Sequence, residues 1–203
     1  MDLHAMLRLV LVTDDRLLAG RDPVAVCRAA VSGGVTSVQL RLKHASPREL
    51  VAVLRSLRAA VEVPILVNDR LDVALAGLAD GVHLGSDDIP LALARKIAPR
   101  GFVIGASVGT EEEAAPGAGA DYWGVGPLRP TGTKTDAGEA LGLAGFRHLV
   151  GLAQGIPCVA IGGVRPEDVE PVRTAGGAGV AVAGGILGAP DPESAAGEYR
   201  STG

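Results

Sequence analysis

The chain has 203 residues, 47% of them hydrophobic, with only 2% aromatic and a formal net charge of −4 at pH 7. That length suits one domain with a sizeable core, and the negative balance gives no reason to expect nucleic acid or an anionic membrane as a partner. No apolar run reaches the about 18 residues that a membrane span needs.

With so few aromatic residues, the core must be built from Val, Leu, Ile and Ala. The 29 glycines, at about 14% roughly twice ordinary usage, follow no collagen-like period and point to turns and close backbone approaches. Cys27 and Cys158 sit in apolar segments with no CxxC pairing, so buried free thiols in a reducing compartment are expected. The opening MDLHAMLRLVLVTDD lacks the pattern of a secretory leader. The expectation is a soluble, cytoplasmic protein.

Leu9 to Thr13 predicts a first strand, ending at Thr13-Asp14. Asp22-Pro23 reads as N-cap and first position of a helix to Ala30, closed by Gly33-Gly34. Thr36 to Arg41 predicts a second strand, along which Val38, Leu40 and Leu42 alternate with Gln39, Arg41 and Lys43. Period-two alternation puts the three polar side chains on one face; in a sheet wrapped by helices that face is the lumen or its mouth. Ser46-Pro47 opens a helix to about Ala60.

Pro64 to Val67 predicts a third strand, stopping at Asn68-Asp69, and Leu71, Ala74, Leu75 and Leu78 recur at helical spacing. Gly81 to Leu84 predicts a fourth, followed by Gly85-Ser86-Asp87-Asp88. Parallel strands joined by a helix deliver their C-terminal ends to the same edge, so Asp69 and Asp88 can face each other. Two such carboxylates suit a hard cation such as Mg²⁺; equally, each can cap the helix after it.

Further pairs follow: a helix from Ile89-Pro90 to near Pro99, a strand over Phe102 to Ser107, and a helix capped by Thr110 and cut short at Pro116-Gly117. A strand over Asp121 to Val125 precedes the polar loop 126-138, and Leu143 to Ala153 reads as a helix. Pro157 to Ile161 and Gly179 to Ala183 predict the last strands, closed by Gly162-Gly163 and Gly184-Gly185, with a helix over Pro166 to Thr174 between them and a last one over Asp191 to Tyr199.

Eight strand–helix alternations without a linker predict a single (β/α)₈ TIM-barrel domain over 1–203, short beside the usual ~250 residues. A doubly wound open sheet is the structural alternative. In a barrel, everything that follows a strand collects at the C-terminal face, where barrel enzymes work. Gly162-Gly163 and Gly184-Gly185 fall where barrels hold phosphate on bare backbone N–H groups. Arg41, Lys43 and Lys134 add positive charge near the two carboxylates, as a di- or triphosphate requires. Thr131, Gly132, Thr133 and Lys134 present hydroxyls, amides and a charge to an anion. One phosphate and one pyrophosphate imply two substrates and a departing pyrophosphate. No Cys/His or Ser/His pairing suggests covalent catalysis, and His83 reads as a satisfied core residue.

The segments VQLRLK (Val38–Lys43), VNDRLDVA (Val67–Ala74), ADGVHLG (Ala79–Gly85), DYWGVGPLRPTGTK (Asp121–Lys134) and AIGGV (Ala160–Val164) together resemble the thiamine-phosphate synthase family over nearly the full length. The resemblance implies a Mg²⁺-dependent transferase of thiamine biosynthesis. Gln39, Arg41, Lys43, Asn68, Ser107 and Lys134 would hold the aminopyrimidine diphosphate, with Mg²⁺ on Asp69 and Asp88. Thr131, Gly132, Thr133, Gly163 and the amides of Ala183 and Gly184 would hold thiazole phosphate. Arg41, Lys43, Lys134 and Ser107 would act on the departing pyrophosphate, leaving a pyrimidinylmethyl cation that the thiazole nitrogen captures. Partners are then small molecules, and assembly into a homo-oligomer is compatible with this reading. Three departures from the family pattern stand out: Ser86 for Gln, Gly109 for His, and the pair Ala183-Gly184 for Val-Ser. The competing expectations are a thiazole tautomerase, which needs only the thiazole-phosphate half, and a non-catalytic phosphoester-binding barrel.

Overall fold

The computed structural model describes residues 2–131 and 138–200. Strands β1 (Leu9–Val12), β2 (Ser37–Leu40), β3 (Ile65–Asn68), β4 (Gly81–Leu84), β5 (Val103–Val108), β6 (Tyr122–Val125), β7 (Cys158–Ile161) and β8 (Gly179–Val182) pair in parallel in chain order. β8 closes on β1, with Val10 opposite Ala181. The sheet is a closed barrel, and the open-sheet alternative is set aside.

Among the described residues the helices are α1 (Leu3–Leu7), α2 (Asp15–Leu18), α3 (Pro23–Ser32), α4 (Pro47–Ala60), α5 (Leu71–Ala76), α6 (Leu91–Ile97), α7 (Glu111–Gly117), α8 (Gly142–Leu152), α9 (Val169–Thr174), α10 (Gly184–Leu187) and α11 (Pro192–Glu198). Local chemistry starts the longer ones where the sequence predicts. Asp22 accepts from the Val24 amide ahead of α3, and Ser46 with Glu49 forms a capping box for α4, each with Pro at the first position. α7 is short, as the sequence predicts: it follows Thr110, carries Pro116 in its last turn and ends at Gly117. α1, α2 and α10 are not legible in the sequence, and Gly184-Gly185 begins α10 where the sequence predicts only the close of a strand. No helix among the described residues is long and apolar enough to cross a membrane.

Two apolar bodies hold the fold. The larger lies between sheet and helices, with Val38, Leu40, Val67, Val82, Ile104, Val125 and Val180 facing Leu54, Leu57, Ala74 and Phe146. The smaller fills the lumen, where Val10, Leu66, Val103, Tyr122, Val159 and Ala181 meet Met6 and Leu7 of α1. α1 thus plugs the N-terminal end, where buried Ser37 Oγ donates to the Met6 carbonyl at 2.9 Å, and Gln39, His83 and Ser107 stand toward the opposite mouth. Cys27 and Cys158 are buried and unpaired, and burial pushes both thiols up to about 12, which leaves them unreactive.

Candidate active site

The alternation in the second strand does what its pattern predicts. Val38 and Leu40 pack outward under the helices, whereas Gln39, Arg41 and Lys43 line the wall of a cavity of about 840 Å³ at the C-terminal mouth. Asn68, Asp69, His83, Ser107, Thr131, Gly163, Ala183 and Gly184 line the same cavity. Gly132, Thr133 and Lys134 lie outside the described residues.

Gln39 Nε2 donates to Asn68 Oδ1 at 2.6 Å. That commits one donor and one acceptor and leaves the Gln39 carbonyl oxygen and the Asn68 amide nitrogen for a ligand. Arg41 is held from behind: its Nη1 is 2.5 Å from Asp14 Oδ2, with side chains 11% and 5% exposed. Its backbone N–H donates to Thr13 Oγ1 at 2.8 Å, and the Thr13 hydroxyl donates to the Arg41 carbonyl at 3.1 Å. Asp14 also accepts from the Arg16 and Leu17 amides at the start of α2. One carboxylate therefore fixes both a helix and a site cation. Asp14 is a functional neighbour that sequence reasoning missed; its signal is only its place at a strand end, 27 residues from Arg41.

Asp69 has φ +64°, in the left-handed region, with its amide donating to the His83 carbonyl at 2.8 Å. In that conformation it caps nothing: the residue heading α5 is Arg70, with no side-chain cap. Asp88 accepts from the Gly85 amide behind it at 2.7 Å, and α6 likewise has no side-chain cap. Neither carboxylate is a helix cap. Instead they meet. Burial, then the charge of Asp88 and a hydrogen bond between the two carboxyls, push the Asp69 carboxyl up to about 6, against the pull of Lys43 and Arg41. Asp69 lines the cavity directly, and Asp88 stands behind Gly85 and Ser86 at its rim.

The opposite wall is backbone. Gly162 and Gly163 have φ +87° and +66°, and a Cβ on Gly163 would lie 2.8 Å from Arg129 Cβ. The loop after β6 zips onto the end of β7, Leu128 N–H to Ile161 O at 2.8 Å and Arg129 N–H to Gly162 O at 2.9 Å. Arg129 clamps the loop through a two-point pair with buried Asp168 at 2.9 and 2.7 Å; the Arg129 guanidinium holds the Asp168 carboxyl below its usual range. Ala183 precedes α10, and around Gly184 nothing lies within 4 Å of where a Cβ would stand. At Gly109, another departure from the family pattern, a Cβ would come 2.8 Å from the Gly126 carbonyl.

The fold and this mouth define a class: a parallel (β/α)₈ barrel with carboxylates and cations along one wall of its C-terminal mouth and bare glycine-rich backbone along the other. Residues 9–186 match the family model described as thiamine monophosphate synthase. The thiamine-phosphate synthase of Methanospirillum hungatei is 45% identical over 196 residues, covering 94% of this chain and 95% of that protein. That of Xanthobacter autotrophicus is 48% identical over 195 residues, covering 94% and 92%. The solved thiamine phosphate pyrophosphorylase from Pyrococcus furiosus matches with a TM-score of 0.87 at 39% identity, covering 98% of this chain and 96% of its own. The chain belongs to the thiamine monophosphate synthase family.

Proposed function

We propose that the protein is a Mg²⁺-dependent transferase that joins an aminopyrimidine, carried as its diphosphate, to thiazole phosphate, releasing thiamine phosphate and pyrophosphate. The observation that carries this reading is one cavity with two unlike walls. Arg41, Lys43 and the Asp69–Asp88 pair stand on one side, and the backbone at Gly163, Ala183 and Gly184 on the other. A diphosphate and a monophosphate bound there would bring their organic parts together.

The residues fit a divalent cation. Burial first, and then the neighbouring Asp88 charge, raise the Asp69 carboxyl to about 6, and a cation between the two carboxyls relieves that cost. Among the described residues no third His, Cys, Asp or Glu joins them. That suits Mg²⁺, which takes one or two carboxylates and completes its shell with phosphate oxygens and water. Bound there, Mg²⁺ would neutralise charge on the diphosphate.

Gln39 and Asn68 orient the aminopyrimidine, the carbonyl oxygen of the first accepting from its amino group. The C–O bond to the diphosphate breaks and its electron pair leaves with pyrophosphate. Arg41, Lys43, Ser107 and Lys134 stabilise the charge that grows there, which lowers the barrier more than it tightens substrate binding. Asp14 keeps Arg41 in place without reorganisation during the step. Thiazole phosphate sits on the amides of Gly163, Ala183 and Gly184, the family resemblance assigns Thr131, Gly132 and Thr133 to the same phosphate, and its ring nitrogen supplies the pair for the new C–N bond. Holding both reactants in contact accounts for much of the acceleration.

Ligand-induced stabilisation tests the division of the cavity. A ligand at 100 times its Kd adds ~2.7 kcal/mol, or about 5–10 °C in Tm for a chain of this size. The pyrimidine diphosphate is expected to give such a shift only with Mg²⁺. A shift with thiazole phosphate alone, and none with the pyrimidine diphosphate, contradicts the transferase.

A further inference from the structure

Ser107 ends a line of three polar side chains, Tyr122, His83 and Ser107, that runs from the lumen to the mouth. His83 Nδ1 lies 2.8 Å from the Tyr122 hydroxyl oxygen and His83 Nε2 lies 3.1 Å from Ser107 Oγ. Tyr122 is 2% exposed and His83 5%. The line is built by the barrel's register: His83 is opposite Gly105, Gly105 is opposite Tyr122, and Ser107 is opposite Gly124. Both glycines make the room. A Cβ on Gly105 would come 2.3 Å from two ring carbons of Tyr122, and one on Gly124 would come 2.9 Å from His83 Cε1.

Counting hydrogens gives the line a direction. Burial pushes the Tyr122 hydroxyl well above its ordinary value, so it keeps its proton. That O–H has one hydrogen, and among the described residues its hydrogen-bond partner is His83 Nδ1. If Nδ1 also carried a hydrogen, the phenol hydrogen would be buried without an acceptor, which native interiors avoid. Nδ1 therefore accepts, and the hydrogen of the neutral ring sits on Nε2. Ser107 Oγ then accepts from Nε2, which leaves the single hydroxyl hydrogen of Ser107 for the cavity.

We propose that Tyr122, acting through His83, fixes Ser107 as a hydrogen-bond donor into the cavity, where the acceptor is an oxygen of the diphosphate. Tyr122 and His83 are positioning residues, and Ser107 is the group that touches the ligand. The last link rests on the transferase reading; the tautomer of His83 does not.

Two measurements on the full chain test it. In ¹⁵N-edited spectra of the ligand-free protein, with His83 assigned by comparison with His83→Gln, Nε2 is expected to be protonated and Nδ1 bare. Tyr122→Phe keeps the ring and removes the hydroxyl, and is expected to release the tautomer. A wild-type His83 protonated on Nδ1 overturns the proposal, as does a tautomer unchanged in Tyr122→Phe. In turnover, Ser107→Ala is expected to lower kcat by about 10²–10³. Tyr122→Phe is expected to lower it by roughly 10–100-fold, as removal of a group that orients a functional imidazole does, with KM for thiazole phosphate unchanged. Added to Ser107→Ala, Tyr122→Phe is expected to cost less than about twofold more, because the hydroxyl it orients is gone. Full multiplication of the two losses overturns the proposal. A wild-type protein without turnover defeats the transferase reading instead, and the ¹⁵N spectra still decide the tautomer.

Discussion

Replacing Asp69 by Asn is expected to make the metal-free protein more stable at neutral pH and to abolish its response to Mg²⁺. Asn is the right probe because Asp69 sits at φ +64°, a region that Asn tolerates and Ala does not. A carboxyl that titrates at about 6 rather than 3.8 costs the metal-free fold at most ~3 kcal/mol once it is ionised. Asp69 is only about half buried, so screening by water reduces this to ~1 kcal/mol. For a chain of this size that is about 2–4 °C in Tm. The sign follows from the raised value: the contribution of the protonated group is complete below 3.8 and is lost as pH rises through about 6. The advantage of Asn is therefore present at pH 7.5 and disappears toward pH 4. By the same sign, wild-type affinity for Mg²⁺ weakens as pH falls through about 6, since the ligand must be deprotonated. The assay is thermal melting of both proteins at the two pH values, with and without Mg²⁺ and inorganic pyrophosphate. A variant that melts at or below wild type at pH 7.5, or that keeps the Mg²⁺-dependent gain, would refute the reasoning.

Other perturbations separate the two walls. Asp14→Asn keeps a helix cap but leaves Arg41 buried without its partner, so denaturant unfolding is expected to show a loss of ~3–5 kcal/mol. Gly163→Ala forces a Cβ against Arg129 at φ +66°. It is expected to cost ~1–3 kcal/mol in the same assay and to raise KM for thiazole phosphate but not for the pyrimidine diphosphate. Gly184→Ser fills open space and restores a hydroxyl; one added hydrogen bond of ~0.5–1.5 kcal/mol lowers KM for thiazole phosphate by roughly 2–10-fold. Lys134→Ala is expected to lower kcat by about 10²–10³ with binding of thiazole phosphate little changed. An unchanged kcat with only a raised KM for thiazole phosphate would put Lys134 on the other substrate.

The barrel is legible in the sequence because strands buried on both faces read as short apolar runs, and because Asn68-Asp69, Gly85 to Asp88 and the Gly-Gly pairs punctuate their ends. The wall carrying Gln39, Arg41 and Lys43 is legible for a related reason: period-two alternation in a helix-wrapped strand has one place to put charge. What stays hidden is what depends on closure. Asp14 reaches Arg41 across 27 residues and His83 reaches Tyr122 across 39, and no local spacing encodes either contact. His83 reads as a satisfied core residue and is one, yet its second nitrogen faces Ser107, which only the register of β4 against β5 reveals. Gly184-Gly185 reads as a turn because glycine disfavours helices. It starts α10 instead, and glycine is needed at 185 because the Tyr199 hydroxyl occupies the space that a Cβ there would take. The capping alternative for Asp69 fails on the one quantity the sequence does not carry, the sign of its φ.

The most direct test of the central claim is incubation of the protein with the pyrimidine diphosphate, thiazole phosphate and Mg²⁺, with products identified by mass. The account predicts thiamine phosphate and pyrophosphate in equal amounts, both lost when Mg²⁺ is chelated or when Asp69 is replaced by Asn. Isomerised thiazole phosphate with no pyrophosphate, or two unchanged substrates, would contradict it.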